Sequence, residues 1–164
     1  AEGLKSFGSF YFGGIAEMIV AIGNDPPGFE HKLHLVEMLK AKGFEIVDLG
    51  CHSTEPADYP DYAKLVGDGV ASGQYDRGIL ICGTGQGMNI AANKINKVRA
   101  ALCFDVLPAI MSRDHNDSNV LCMGAWTITK EHAERVSLSW LGGRFSGGVH
   151  SKRLDKITSL ENEN

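Results

Sequence analysis

The sequence predicts an α/β protein, a doubly wound, five-stranded parallel sheet within a three-layer α/β/α sandwich. Three observations carry this. From Met18 onward, short apolar runs alternate with stretches whose apolar residues recur at helical spacing. The runs are apolar throughout, as strands are when helices cover both faces of a parallel sheet. Glycines stand where helices should close, at Gly43 and Gly73. Repeated units of this kind give parallel strands joined by right-handed crossovers, a Rossmann-like winding.

Taken in order, Ile19 to Gly23 is the first strand, and Phe29, Leu33, Val36 and Leu39 mark one face of the helix after it. Glu45 to Leu49 is the second strand. Pro60 opens the second helix, with Ala63, Val66 and Val70 on its inner face, because its fixed φ suits a first helical turn. Gly78 to Cys82, Val98 to Cys103 and Val120 to Met123 are the remaining strands. Helices over Met88 to Lys94, Leu107 to Arg113 and Lys130 to Leu141 follow them. Ser151 to Leu160 forms a last helix, with Glu161 to Asn164 frayed.

Composition narrows the function classes. A chain of 164 residues, 43% hydrophobic and 22% charged, has the makings of one globular domain, assigned here to residues 18–164. A net charge of −4 without a Lys/Arg cluster disfavours nucleic acid and anionic membrane as partners. No apolar run approaches the roughly 18 residues of a membrane span. Cys51, Cys82, Cys103 and Cys122 form no C-x-x-C pair, and three of them end apolar runs. That usage fits reduced thiols in a cytoplasmic protein and no metal site. Residues 1–17 carry glycines and aromatics without a period or a signal-peptide pattern. With Met18 as a candidate native start, they read as an N-terminal extension, an arm crossing to another subunit, or an expression remnant.

In a sheet of this type ligands sit beyond the carboxyl ends of the strands. Those ends carry Asn24 and Asp25, Cys51 to Ser53, Cys82 to Gly87, Phe104 and Asp105, and Gly124 to Trp126, while His115 and Asn116 close the fourth helix. The most telling stretch is Gly78 to Asn93, where an apolar run delivers Cys82 to a loop with glycine at 83, 85 and 87. A cysteine at a strand end is, taken alone, more often a small buried hydrophobe. Three glycines in five residues change that reading, because they let backbone N–H groups approach a ligand. A helix N-terminus next door favours an anion and a thiolate. The loop suits a base held beside a developing oxyanion. It lacks the Gly-Lys-Ser/Thr of a nucleotide-phosphate loop and the G-x-G-x-x-G spacing of a dinucleotide site. His115 reads equally well as a catalytic group or as a helix-terminal residue favoured by the dipole. His31, His34, His52 and His132 show no ligand spacing.

From Met18 to Ile157 the chain resembles ribose-5-phosphate isomerase type B and the related galactose-6-phosphate isomerase subunits. The resemblance rests on Asp58-Tyr59-Pro60-Asp61-Tyr62-Ala63, on Gly78 to Lys94, on Val98 to Cys103, and on Ser112-Arg113-Asp114-His115-Asn116-Asp117. It implies metal-free, cofactor-free aldose–ketose isomerisation through an enediolate. It further implies a homodimer or tetramer whose active site is shared between subunits. By resemblance, Cys82 is the base between C1 and C2, the amides of Gly83, Gly85 and Gly87 hold the enediolate oxygens, and Thr84 positions the hydroxyls. His115 opens the sugar ring, Asn116 and Asp25 bind hydroxyls, and Tyr59 and Asn89 line the pocket.

Three positions depart from the family pattern. Pro26 stands where relatives usually have a histidine, and Trp126 and Val149 stand where many have arginine. Those arginines are associated with phosphate recognition, for which His150 and Arg153 remain. Trp126 offers a flat face suited to a sugar ring. The expectations are therefore an isomerase of ribose 5-phosphate or a related sugar phosphate, the same chemistry on a different, even non-phosphorylated, sugar, or a non-catalytic sugar-binding or partner subunit. Retention of Cys82, the glycine loop and His115 speaks against the last.

Overall fold

The computed structural model describes residues 18–163, so the segment 1–17 and its expected roles lie outside the described residues. Five strands, β1 (Ile19–Asn24), β2 (Glu45–Asp48), β3 (Arg77–Cys82), β4 (Ala100–Leu102) and β5 (Val120–Gly124), pair in parallel in the order β2-β1-β3-β5-β4. The helices are α1 (Phe29–Ala41), α2 (Tyr59–Ala71), α3 (Gln86–Ala92), α4 (Val106–Asn116), α5 (Lys130–Leu141) and α6 (Val149–Glu161). The chain leaves β1 for β2 on one side, while β3 leads to β4 and β5 on the other. The carboxyl ends of β1 and β3 therefore bound the crevice where strand order reverses.

The period-2 alternation of strand side chains divides the interior into two cores. Val20, Ile22, Ile79, Ile81, Leu121 and Met123 pack with Leu35 and Leu39 of α1, Ala109 of α4 and Val136 and Trp140 of α5. Ala21, Leu80, Cys82, Val120 and Cys122 turn to the other face and meet Val66 and Val70 of α2 and Met88 and Ala92 of α3. This is the three-layer sandwich expected. Gly78 lets α2 press onto the sheet, since a Cβ there would stand 2.6 Å from a methyl of Val66.

Differences from the sequence reading have identifiable causes. Leu33, expected inside, is 45% exposed, and Lys32 is fully buried in its stead. The Lys32 ammonium meets Asp48 Oδ2 at 2.8 Å and lies 5.1 Å from the centroid of the Phe29 ring, so α1 can turn that stem inward. β4 keeps only three of the six residues expected, as befits an edge strand paired on one side. α3 starts at Gln86, two residues early, because Gly85 in the left-handed region (φ 79°) turns the chain straight from the loop into the helix. α4 runs three residues past Arg113, which puts His115 and Asn116 in its last turn.

Candidate active site

Cys82 ends β3 with 5% of its surface exposed, opposite Gly124 of β5. Its Sγ accepts the N–H of Gly85 at 3.1 Å. The helix behind the loop is only seven residues long, so this single N–H is the loop's clearest contribution. Burial pushes the Cys103 thiol up to about 11 and drives Cys122 well upward too. All four cysteines are free and buried. The N–H groups of Gly83 and Gly87 donate to no group among the described residues.

Two aromatic rings rest on the loop. The Trp126 indole covers Gly83, where a Cβ would fall 2.7–2.8 Å from three of its ring atoms. The Tyr59 ring covers Gly87 in the same way, at 2.7 Å. Thr84 is exposed between them, and its backbone is held against Gly124, where a Cβ would come within 2.6 Å of it. Asn89 lies one turn into α3, its N–H on the Gly85 carbonyl at 3.0 Å and its Oδ1 buried without a hydrogen-bond partner.

Across the crevice, Asp25 follows β1 and is tied to β3 by its N–H on the Ile81 carbonyl at 3.2 Å. Its carboxylate caps the short 3-10 turn Pro26–Gly28, accepting Gly28 N–H at 3.3 Å. Burial raises the Asp25 carboxyl, with the Gly28 bond opposing. Two neighbours belong with this group although the sequence marked them only as strand-end residues. Asn24, fully buried, donates to the Asp25 carbonyl at 2.7 Å and to Cys51 Sγ at 3.0 Å. Tyr62 is a residue the sequence gave no role beyond its motif. Its phenol is pushed up by partial burial and by Cys51, Asp61 and Asp25. The usable signal was a polar residue ending an otherwise apolar strand.

The remaining expected residues gather elsewhere. His115 and His150 stack with ring centroids 4.3 Å apart and planes 9° from parallel. Ser146 holds the segment before α6 to α4, its N–H and hydroxyl both on the Asp114 carbonyl at 3.0 Å. Arg153 follows His150 by one helical turn on the same face and is exposed, as is Asn116. Within the same motif, Arg113 and Asp117 are structural: Arg113 is buried and bonds Asp117 at 2.8 Å, and Arg99 meets the same carboxylate at 3.0 Å.

This second group lies at the opposite end of the sheet. α4 runs back from the carboxyl end of β4, and the chain after it pairs at the strand starts, with Asn119 N–H on Arg99 and Gly78 N–H on Asn119, both at 3.0 Å. With a rise of about 3.3 Å per residue, the length of β3 separates Cys82 from that end by roughly 15 Å. Cys82, Thr84, Asp25, Tyr59, Asn89, Trp126 and the glycines gather at the carboxyl ends of the strands. His115, Asn116, His150 and Arg153 gather at the other end. Among the described residues no group of three or more His, Cys, Asp or Glu side chains stands together as metal ligands would, and no helix is long and apolar enough to cross a membrane.

The comparisons with known proteins agree with this architecture. The family model described as Ribose/Galactose Isomerase matches residues 20–157. Ribose-5-phosphate isomerase B of Escherichia coli is 44% identical over 142 residues, 87% of this chain and 95% of the relative. The solved ribose-5-phosphate isomerase B of Clostridium thermocellum superposes with a TM-score of 0.88 at 42% identity, covering 89% of this chain and 99% of that one. The Mycoplasma genitalium enzyme, solved with bound ribulose 5-phosphate, gives 0.86 at 40% identity over 90% and 98% of the two chains. With matched blocks in matched order, a shared five-stranded topology and near-complete coverage of its relatives, the chain belongs to the ribose/galactose isomerase family.

Proposed function

We propose that this protein, a sugar-phosphate isomerase by family, interconverts ribose 5-phosphate and ribulose 5-phosphate or a closely related pair. The observation that carries this is the Cys82 thiol at the strand-order reversal, bonded by Gly85 N–H and flanked by the unpaired amides of Gly83 and Gly87. In the forward step Cys82 takes the proton from C2 of the open-chain aldose. The electron pair moves into a C1–C2 double bond and leaves charge on O1, which the loop amides hold in place. The O2 proton passes to O1 with Thr84 positioning both hydroxyls, and Cys82 returns its proton to C1. Asp25 accepts from a substrate hydroxyl and Asn89 and Tyr59 line the chain. No net electron leaves the substrate, so the reaction calls for no external oxidant.

The second half-site belongs to the same reaction in a second copy of the chain. His115 there opens the sugar ring by moving a proton between ring oxygen and O1, Asn116 binds a hydroxyl, and His150 with Arg153 takes the phosphate. What supports a dimeric site is the separation of Cys82 and His115 within one chain. The test is a hybrid oligomer. Cys82→Ala and His115→Ala, each slow alone on cyclic ribose 5-phosphate, are mixed and reassembled. Statistical pairing restores about a quarter of wild-type activity, because half the dimers are hybrids and each carries one intact site. A mixture no faster than the sum of its parts refutes the shared site.

A further inference from the structure

Trp126 is the most exposed large hydrophobic side chain among the described residues, at 74%, yet it is not loosely placed. Its N–H bonds the Gly83 carbonyl at 2.9 Å, and the N–H before it, on Ala125, bonds the Cys82 carbonyl at 2.9 Å. Three atoms of its six-membered ring fall within 2.8 Å of where a Cβ of residue 83 would stand. Gly83, unlike Gly85, has no positive φ to require glycine. What a side chain at 83 would strike is the indole. One face of the ring is thus seated on the loop next to the thiol, while the other is open to water. An amphipathic aromatic fixed beside a reactive group, with a bare face, is poised to cover the apolar part of a bound ligand.

We propose that Trp126 is the specificity-determining wall of the site, selecting aldoses and ketoses that turn a C–H face, rather than a charged group, toward Gly83. This rests on the isomerase reading and deepens it. Sugars carry patches of C–H alternating with hydroxyls, and the indole can cover such a patch while its N–H remains free to bond a hydroxyl. It has no charge with which to draw a phosphate. The wall therefore contributes to holding phosphorylated and plain sugars alike.

The test uses the two tryptophans. Trp140 is fully buried and bonded to Ser118, so quenching by acrylamide reports on Trp126. Ribose 5-phosphate, ribose and erythrose are titrated separately while turnover is followed. Each sugar that is turned over shields Trp126 at saturation, and Trp126→Phe abolishes that signal. Trp126→Ala raises KM about fivefold for phosphorylated and plain sugars alike, with kcat little changed, and Trp126→Phe restores most of the loss. Turnover with Trp126 still fully quenchable, or a KM within about twofold in Trp126→Ala, overturns the wall and leaves the isomerase reading standing. Shielding without turnover of any sugar upholds the wall and overturns the isomerase reading. Neither shielding nor turnover overturns both.

Discussion

The N–H of Gly85 donates to the sulfur of Cys82 across 3.1 Å. Gly85 cannot drift from this position. It holds φ 79°, and a Cβ on it would stand 2.5 Å from Leu102 and 2.9 Å from the backbone of Met123. Sheet packing thus fixes the donor and β3 fixes the acceptor, so under the proposed mechanism the sulfur is held in place before substrate arrives.

Removing the base should be decisive. Cys82→Ala is expected to lose at least about 10²-fold in kcat while keeping its fold and its sugar affinity. Cys82→Ser should be nearly as slow, because a hydroxyl is a far weaker base at neutral pH. Exchange of the C2 proton with solvent deuterium, followed by NMR, reads the step directly. Either variant retaining more than about a tenth of wild-type turnover removes Cys82 from the proton shuttle.

The strands, their order of appearance and the thiol loop were legible because each depends on local pattern: apolar runs, closing glycines, and three glycines after Cys82. The phase of α1 was not, since burial of Lys32 depends on Asp48, 16 residues away on β2. The separation of the expected site residues into two groups was equally hidden. His115 and Cys82 both looked like site residues in one dimension, and only the return direction of α4 separates them. The seating of Trp126 on Gly83 follows from how β5 lies beside β3, a contact between residues that nothing in the spacing joins.

His115 is expected to act on ring opening alone. His115→Asn should slow turnover of cyclic ribose 5-phosphate by about 10²-fold, in the usual range for proton transfer. On a short aldose that cannot cyclise it should retain most activity. Comparing kcat/KM on the two substrates checks this, and equal losses place His115 in the isomerisation step or in general binding. His150→Ala, which removes both the ring stacked at 4.3 Å and a proposed phosphate ligand, should raise KM for ribose 5-phosphate more than it lowers kcat.

Asp25 couples stability to pH with a definite sign. Burial raises its carboxyl above the ordinary carboxylate value. Between that ordinary value and the raised one, the folded protein holds a proton that the unfolded chain has released, so stability contributed here falls as pH rises through the window. Asp25→Asn keeps an oxygen for the Gly28 N–H and removes the buried charge. At pH 7 it should melt no lower than wild type, and its advantage should shrink as pH falls into the carboxylate range, while activity drops because a hydroxyl acceptor is weakened. A variant that melts lower than wild type at pH 7 contradicts this account.

Pro26 supplies no N–H to an anion and opens the 3-10 turn capped by Asp25. Val149, 63% exposed, begins α6 beside His150. The two positions lie on different half-sites, so across a shared site they would face one phosphorylated sugar from two subunits. Paired charge-assisted bonds are what fix a dianion, and His150 with Arg153 offers fewer of them than a pocket with donors at 26, 126 and 149. Wild-type protein should therefore bind inorganic phosphate weakly and tolerate sugars without phosphate. Pro26→His with Val149→Arg should raise the ratio of kcat/KM for ribose 5-phosphate over ribose by about tenfold or more, since a charged hydrogen bond contributes roughly 1.5–3 kcal/mol. The substitutions are tested together because ligands of one anion need not act additively. Calorimetric titration with inorganic phosphate supplies the independent check. Micromolar binding by the unmodified protein, unchanged in Arg153→Ala, would place the phosphate somewhere other than beside His150.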